Sequence, residues 1–168
     1  MPNASISGGH PALTDEQTGL PNRLHFDTVL GTLFATAQRG LPLSLIMLEI
    51  DSAGEWLART DSPEVNRVMK SIGQTLVPVI RQMDLLARAD EGCFAACLID
   101  CNMAGAVLVA DRFDALLDSI RSSSELGFSI GGATFDPDMA SPSDLFGAAE
   151  ESLRAAQSRG GNQMEFRR

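Results

Sequence analysis

The sequence predicts a single α/β domain of the α+β kind, with a β-α-β-β-α-β core in ferredoxin-like order. Three observations predict it. The run from Leu43 to Ile50 is apolar apart from Ser44 and Glu49 and has the length of a strand buried on both faces. Two further apolar runs, Leu85-Leu86-Ala87 and Phe94 to Ile99, flank the polar stretch Arg88 to Cys93 and read as a hairpin. Between and after these runs, apolar residues recur at helical spacing. The 168 residues suffice for one domain with a real core.

Taken in order, residues 1–13 are rich in Gly, Ser, Pro and Asn and are read as a flexible tail, with the folded domain over 14–168. Asp15 to Arg23 is a polar turn, and Asn22 is a fair N-cap for a helix reaching Gln38. Gly40-Leu41-Pro42 ends that helix before the first strand. Ser62-Pro63-Glu64 opens a second helix, Pro being tolerated in the first turn. Its apolar positions are Val65, Val68, Met69, Ile72 and Leu76. The hairpin strands are placed at Asp84 to Arg88 and Cys93 to Ile99. A third helix is expected from Met103 to Ile120 and a strand from Phe128 to Thr134. A last helix starts at Ser141-Pro142-Ser143-Asp144 and stops at Gly160-Gly161. Met164-Glu165-Phe166 is a short closing strand. The chain shows no internal repeat.

Bulk composition narrows the functional classes. A net charge of −9 disfavours a broad electrostatic surface for nucleic acid or anionic lipid. An anionic ligand would need a local cluster of arginines. No apolar run reaches the length of a membrane span, and the first residues carry no basic signal-peptide region, which makes cytoplasm the expected location. Three cysteines in such a chain point away from a disulfide framework. Cys93 and Cys97 fall on one face of a strand with no His near, so with Cys101 they read as small buried apolar residues and not as a metal site. The one tryptophan, Trp56, reads as a packing residue, and neither His10 nor His25 is assigned a catalytic role.

Three motifs carry a family resemblance. Thr18-Gly19-Leu20-Pro21-Asn22-Arg23, preceded by Gln17, resembles the Leu-Thr-Gly-Leu-Pro-Asn-Arg opening of GGDEF domains, the family that makes cyclic di-GMP from GTP. Ser129-Ile130-Gly131 is similar to that family's Ser-Ile-Gly strand. Leu153, Ala156, Gly160 and Asn162 fall where its closing Ala-Leu-Tyr-x-Ala-Lys-x-x-Gly-Arg-Asn-Arg segment lies. The motifs occur in the right order over Asp15 to Phe166. The resemblance implies the nucleotidyl-cyclase variant of the ferredoxin-like fold: a central, mostly antiparallel five-stranded sheet flanked by helices.

It also implies which residues stand at the catalytic positions. The family's signature turn is Arg-x-Gly-Gly-Asp/Glu-Glu-Phe; here it is Arg88-Ala89-Asp90-Glu91-Gly92-Cys93-Phe94. The family holds two divalent metals with a carboxylate at the end of the first strand and another in that turn. The first position is Glu49, still a carboxylate; the second is Gly92, which has no ligand. The guanine-reading Asn corresponds to Leu57 and the second guanine reader, an Asp, to Asn66. The phosphate-binding Lys and Arg of the last helix correspond to Gln157 and Gly161. The resemblance therefore implies a degenerate, catalytically inactive domain with no metal and no cofactor.

What remains is Arg81-Gln82-Met83-Asp84, spaced before the turn as the family's Arg-x-x-Asp inhibitory site is, with Arg112 on the next helix at the place of the Arg that completes it. That site binds cyclic di-GMP as an intercalated dimer. Arginine forks suit phosphate and guanine O6/N7, and Asp84 could accept from guanine N–H donors. Arg39, after the first helix, is a further candidate donor to a ligand on a second subunit, set against its bland role as a cation at a helix C-terminus. Read as residues alone, Arg81 and Asp84 also fit a solvated i,i+3 pair, and their position beside the turn favours the ligand site. Three functional expectations follow: a cyclic di-GMP receptor that signals to a protein partner; a ligand-free module for dimerisation or partner binding; and, least supported, a residual cyclase.

Overall fold

The computed structural model describes residues 10–167. Residues 1–9, most of the expected tail, lie outside the described residues. Pro11–Leu13 form a 3-10 turn, with the His10 ring accepting from the Ala12 amide.

The sheet is built around strand β1 (Leu43–Ile50), which is hydrogen-bonded on both sides and buried along its length except at Glu49. Its neighbours are β3 (Cys93–Ile99) and β4 (Phe128–Thr134), both antiparallel to it. Strand β2 (Leu85–Asp90) pairs antiparallel with β3, and β5 (Met164–Arg167) pairs parallel with β4, giving the order β2-β3-β1-β4-β5. The mostly antiparallel five-stranded sheet is thus as expected.

Alternation along β1 divides the core in two. Ile46, Leu48 and Ile50 face α3 (Ser62–Leu76) and α4 (Met103–Leu116), where Met69, Ile72, Leu76 and Phe113 are fully buried. Leu43, Leu45 and Met47 face α1 (Arg23–Ala37) and α6 (Pro142–Ser158). The close approach of α6 requires Gly131, since a Cβ there would lie 2.1 Å from the Leu153 nitrogen. Asn22 caps α1 through the His25 amide, and a capping box formed by Ser141 and Asp144 opens α6. No helix among the described residues is long and apolar enough to cross a membrane.

Three elements differ from expectation. A short helix α2 (Ala53–Arg59) follows β1, pinned by Trp56, which is 6% exposed. Gly54 and its brevity hid it from periodicity. The third helix is broken at Leu117, and a separate α5 (Asp118–Ser124) continues past Ile120. The break lets both Leu117 and Ile120 reach the core, and Arg121 ties the halves by pairing with Asp114 and Asp118. The hairpin strand starts at Leu85 and runs to Asp90, with a bulge between Arg88 and Asp90. The turn that follows is Glu91-Gly92, with Gly92 at φ +71°.

Candidate functional site

The acidic end of β1 is closed by α6. Glu49 pairs across the sheet with Cys93 and Ser129, and its side chain is 17% exposed. Arg154 Nη1 donates to Glu49 Oε2 at 2.8 Å, and the Gln157 side-chain amide donates to the same oxygen. Arg154 and Gln157 stand at i,i+3 on α6 and also bond each other at 2.8 Å. Two residues beyond Glu49, Asp51 is clasped just as fully. Its Oδ1 accepts the Ser129 hydroxyl at 2.6 Å and its Oδ2 the Asn162 amide at 2.7 Å. Gly161 packs so closely that a Cβ there would meet Asp51 Oδ2 at 2.7 Å. A small cavity of about 340 Å³ remains beside Glu49, Asp51, Ser52, Ala53 and Gly54.

Divalent metals, which the resemblance implies for active relatives, do not fit this donor set. One carboxylate already has a guanidinium as counter-ion, the other is consumed by hydroxyl and amide donors, and Gly92 brings no ligand. The other positions that the resemblance marks as catalytic carry the following side chains. Leu57 is half-buried against the core, and Asn66 accepts a hydrogen bond from the Gln17 amide. Asp90 and Glu91 are exposed at the turn. Cys93 is buried, and desolvation pushes its thiol up to about 12.

The second constellation lies at the start of β2. Arg81 makes a two-pronged pair with Asp84, Nε to Oδ2 at 2.9 Å and Nη2 to Oδ1 at 3.0 Å. The pair is asymmetric: the Arg81 side chain is 50% exposed and that of Asp84 2%. Asp84 also accepts the backbone amides of Arg81 and Ile99, at 3.2 and 3.0 Å. Arg81 Nη2 reaches the Ile99 carbonyl. The hydrogen bond to Asp84 holds the Arg81 guanidinium above its ordinary pKa. Asp84 therefore does not sit in the solvated pair its spacing allows. Both its oxygens are spent inside the protein, and it fixes Arg81 in place.

Arg112 projects from an exposed position on α4 and has no side-chain hydrogen bond or ion pair among the described residues. No bond joins it to Arg81 or Asp84. Arg39 is exposed just past α1, the helix packed on the opposite face of the sheet from α4. The structure thus brings Arg81 and Asp84 into contact and leaves Arg112 and Arg39 as separate exposed cations.

Sequence reasoning overlooked Arg154, Asp51 and Arg88. Arg88 is the half-buried link between the hairpin and the opening loop, donating to Gln17 at 2.6 Å and to Asp15 at 3.4 Å. Arg154 could have been found from its i,i+3 spacing to Gln157. Asp51 could have been found from its position two residues after Glu49, on the same side of the strand's end.

The profile of the diguanylate cyclase GGDEF domain matches residues 12–163. Comparison with curated proteins gives no match. Among solved structures, the GGDEF domain of DgcB from Caulobacter crescentus, in complex with c-di-GMP, is 22% identical, with a TM-score of 0.81 over 94% of this chain and 96% of that one. The GGDEF domain of FimX from Pseudomonas aeruginosa is 21% identical, with a TM-score of 0.82 over 92% and 99%. SiaD from Pseudomonas aeruginosa, a diguanylate cyclase solved with its activator SiaC, is 23% identical, with a TM-score of 0.83 over 93% of this chain and 62% of that one. The opening motif, the sheet order and the profile match over nearly the whole chain lead to one conclusion: this chain belongs to the GGDEF domain family.

Proposed function

We propose that this chain is a catalytically inactive GGDEF domain that binds cyclic di-GMP and passes the signal to a protein partner. The observation that carries the reading is the Arg81 guanidinium, half exposed yet held rigidly by buried Asp84. Preorganised forks of this kind suit phosphate and guanine acceptors, because the rotamer cost is met before the ligand arrives. Arg112 is the second donor. Asp84 acts by positioning Arg81, and its direct use as a guanine acceptor requires the pair to open. Guanidinium–phosphate hydrogen bonds contribute about 1.5–3 kcal/mol each, so a few of them with stacking reach the micromolar range near about −8 kcal/mol. The complex of DgcB with c-di-GMP supports the ligand class.

Inactivity is supported by the closure of Glu49 by Arg154 and of Asp51 by Ser129 and Asn162, and by Gly92 and Leu57 at positions that need polar side chains. Calorimetry with cyclic di-GMP tests the receptor reading. Saturable heat is expected for the wild type and a loss of at least about tenfold in affinity for Arg81→Ala, as removal of a charged hydrogen-bond pair predicts. Absence of heat with the wild type overturns it. Formation of cyclic di-GMP from GTP and Mg²⁺ overturns the inactive reading.

One observation favours a second reading, a ligand-free module for dimerisation or partner binding: the Arg81–Asp84 pair is internally satisfied without any ligand. That reading expects no heat with cyclic di-GMP and unchanged partner binding in Arg81→Ala.

A further inference from the structure

On the side of the molecule where β4 ends, a groove of about 1350 Å³ runs between the first turns of α4 and those of α6. We propose that this groove docks an amphipathic helix of a partner protein, one that carries basic residues beside its apolar stripe. The proposal stands apart from cyclic di-GMP binding and from the closed end of β1.

The floor is apolar. Val107 and Leu108 come from α4, and Phe135 and Met139 from the segment after β4. Leu108 is 60% exposed; Leu24, Val77, Met83 and Leu116 also stand open on the surface, but of these five only Leu108 lines the groove. Covering its exposed surface removes apolar area from water and favours association. Phe135 is anchored edge-on against Phe34 at 5.2 Å, so the floor is firm.

The volume exceeds the range of about 300–1,000 Å³ usual for small-molecule sites. A helix about 10 Å across fills roughly 420 Å³ per turn, so the groove has the volume of about three turns. Helix-in-groove recognition uses that length, with anchors at i, i+3, i+4 and i+7.

The rim chooses the charge of the occupant. Asp136, Asp138, Asp144 and Glu151 line it, and the cation among the lining residues, Arg167, pairs with Glu151. Asp136, Asp138 and Glu151 are exposed, whereas Asp144 also serves the α6 cap. An acidic rim on a chain of net charge −9 repels nucleic acid and a second copy of this chain, and attracts Lys and Arg. The groove also shares α4 with Arg112, which lies one turn after Leu108 on the same helix face.

The test uses a fluorescent peptide of about 14 residues with Leu at helical anchor positions and Lys elsewhere, followed by anisotropy. A Leu/Glu peptide of the same pattern is its counterpart. The full chain is used with three variants: Leu108→Glu, Asp136→Asn with Asp138→Asn, and a distant charge control, Glu16→Gln with Glu55→Gln. Leu108 is exposed, so its variant is expected to melt like the wild type. Saturable binding of the Leu/Lys peptide is expected, weakened about tenfold or more by Leu108→Glu and several-fold by the Asp136/Asp138 pair, with little change in the control. The proposal is overturned by any of four outcomes: no binding by the wild type, equal binding by Leu108→Glu, an equal loss in the charge control, or equally tight binding of the Leu/Glu peptide.

Discussion

Arg154 and Glu49, 105 positions apart in the chain, form an ion pair at the end of the central strand, with Nη1 donating to Oε2 at 2.8 Å. The guanidinium supplies the counter-charge at a carboxylate that active relatives are expected to offer to a metal. Addition of about 10 mM Mg²⁺ or Mn²⁺ is therefore expected to leave the melting temperature unchanged, as it would if the paired Glu49 holds no ion. Arg154 is 58% exposed, so Arg154→Ala is expected to cost less than about 1 kcal/mol. Thermal melts with and without metal check both, and a Mn²⁺-dependent rise in the wild type contradicts the assignment.

On the inactive reading, restoring one acid is not expected to yield a cyclase. Gly92 has φ +71°, and a Cβ there would sit 2.9 Å from the Ala53 Cβ. Gly92→Asp is expected to lose about 1–2 kcal/mol of stability for the left-handed backbone alone. It is expected to yield no cyclic di-GMP from GTP and Mg²⁺, since Leu57, Gln157 and the Glu49–Arg154 pair remain. Denaturant melts and a product assay by chromatography read the two outcomes.

Asp84 and Arg112 should separate folding from binding. Asp84 is nearly fully buried and holds both Arg81 and the Ile99 amide. Asp84→Ala is expected to cost about 1–3 kcal/mol and to weaken cyclic di-GMP binding together. Arg112 is exposed and unpaired among the described residues, so Arg112→Ala is expected to leave stability within about 0.5 kcal/mol while weakening binding. Chemical denaturation beside calorimetry distinguishes them. Equal stability losses in both variants would contradict the positioning role given to Asp84.

Burial pushes the thiols of Cys93 and Cys97 up to about 12, from an ordinary value of 9.0. The unfolded chain therefore loses these protons first as pH rises. The contribution to stability is fully present below pH 9 and is lost progressively between about pH 9 and 12. An alkaline fall in melting temperature is expected over that window, smaller in Cys93→Ala/Cys97→Ala. Near pH 8, native Cys93 and Cys97 are expected to resist alkylation, which requires the thiolate, until the protein is unfolded. Mass spectrometry of iodoacetamide-treated protein measures this.

Much of the fold was legible in the residues. Leu43 to Ile50 stood out as a strand buried on both faces because six of its eight residues are apolar, and Asn22, Ser141 and Gly160-Gly161 marked helix ends through local backbone chemistry. Helix α2 was not legible, because seven residues with a Gly inside make too short a periodic signal. The break at Leu117 was hidden for another reason: Leu116, Leu117 and Ile120 continue a helical pattern, and only the position of the core decides that the chain must turn.

The candidate site divides in the same way. Local spacing brought Arg81 and Asp84 into one turn, and the sequence alone determined which side chains stand at each position of the family's motifs. Tertiary structure decided what those side chains do. Packing turned Asp84 inward against Ile99, where desolvation makes it a clamp for Arg81. The seating of α6 on β4 at Gly131 carried Arg154 to Glu49 and Asn162 to Asp51. Those bonds join residues more than a hundred positions apart, and their energy depends on geometry that no local pattern encodes.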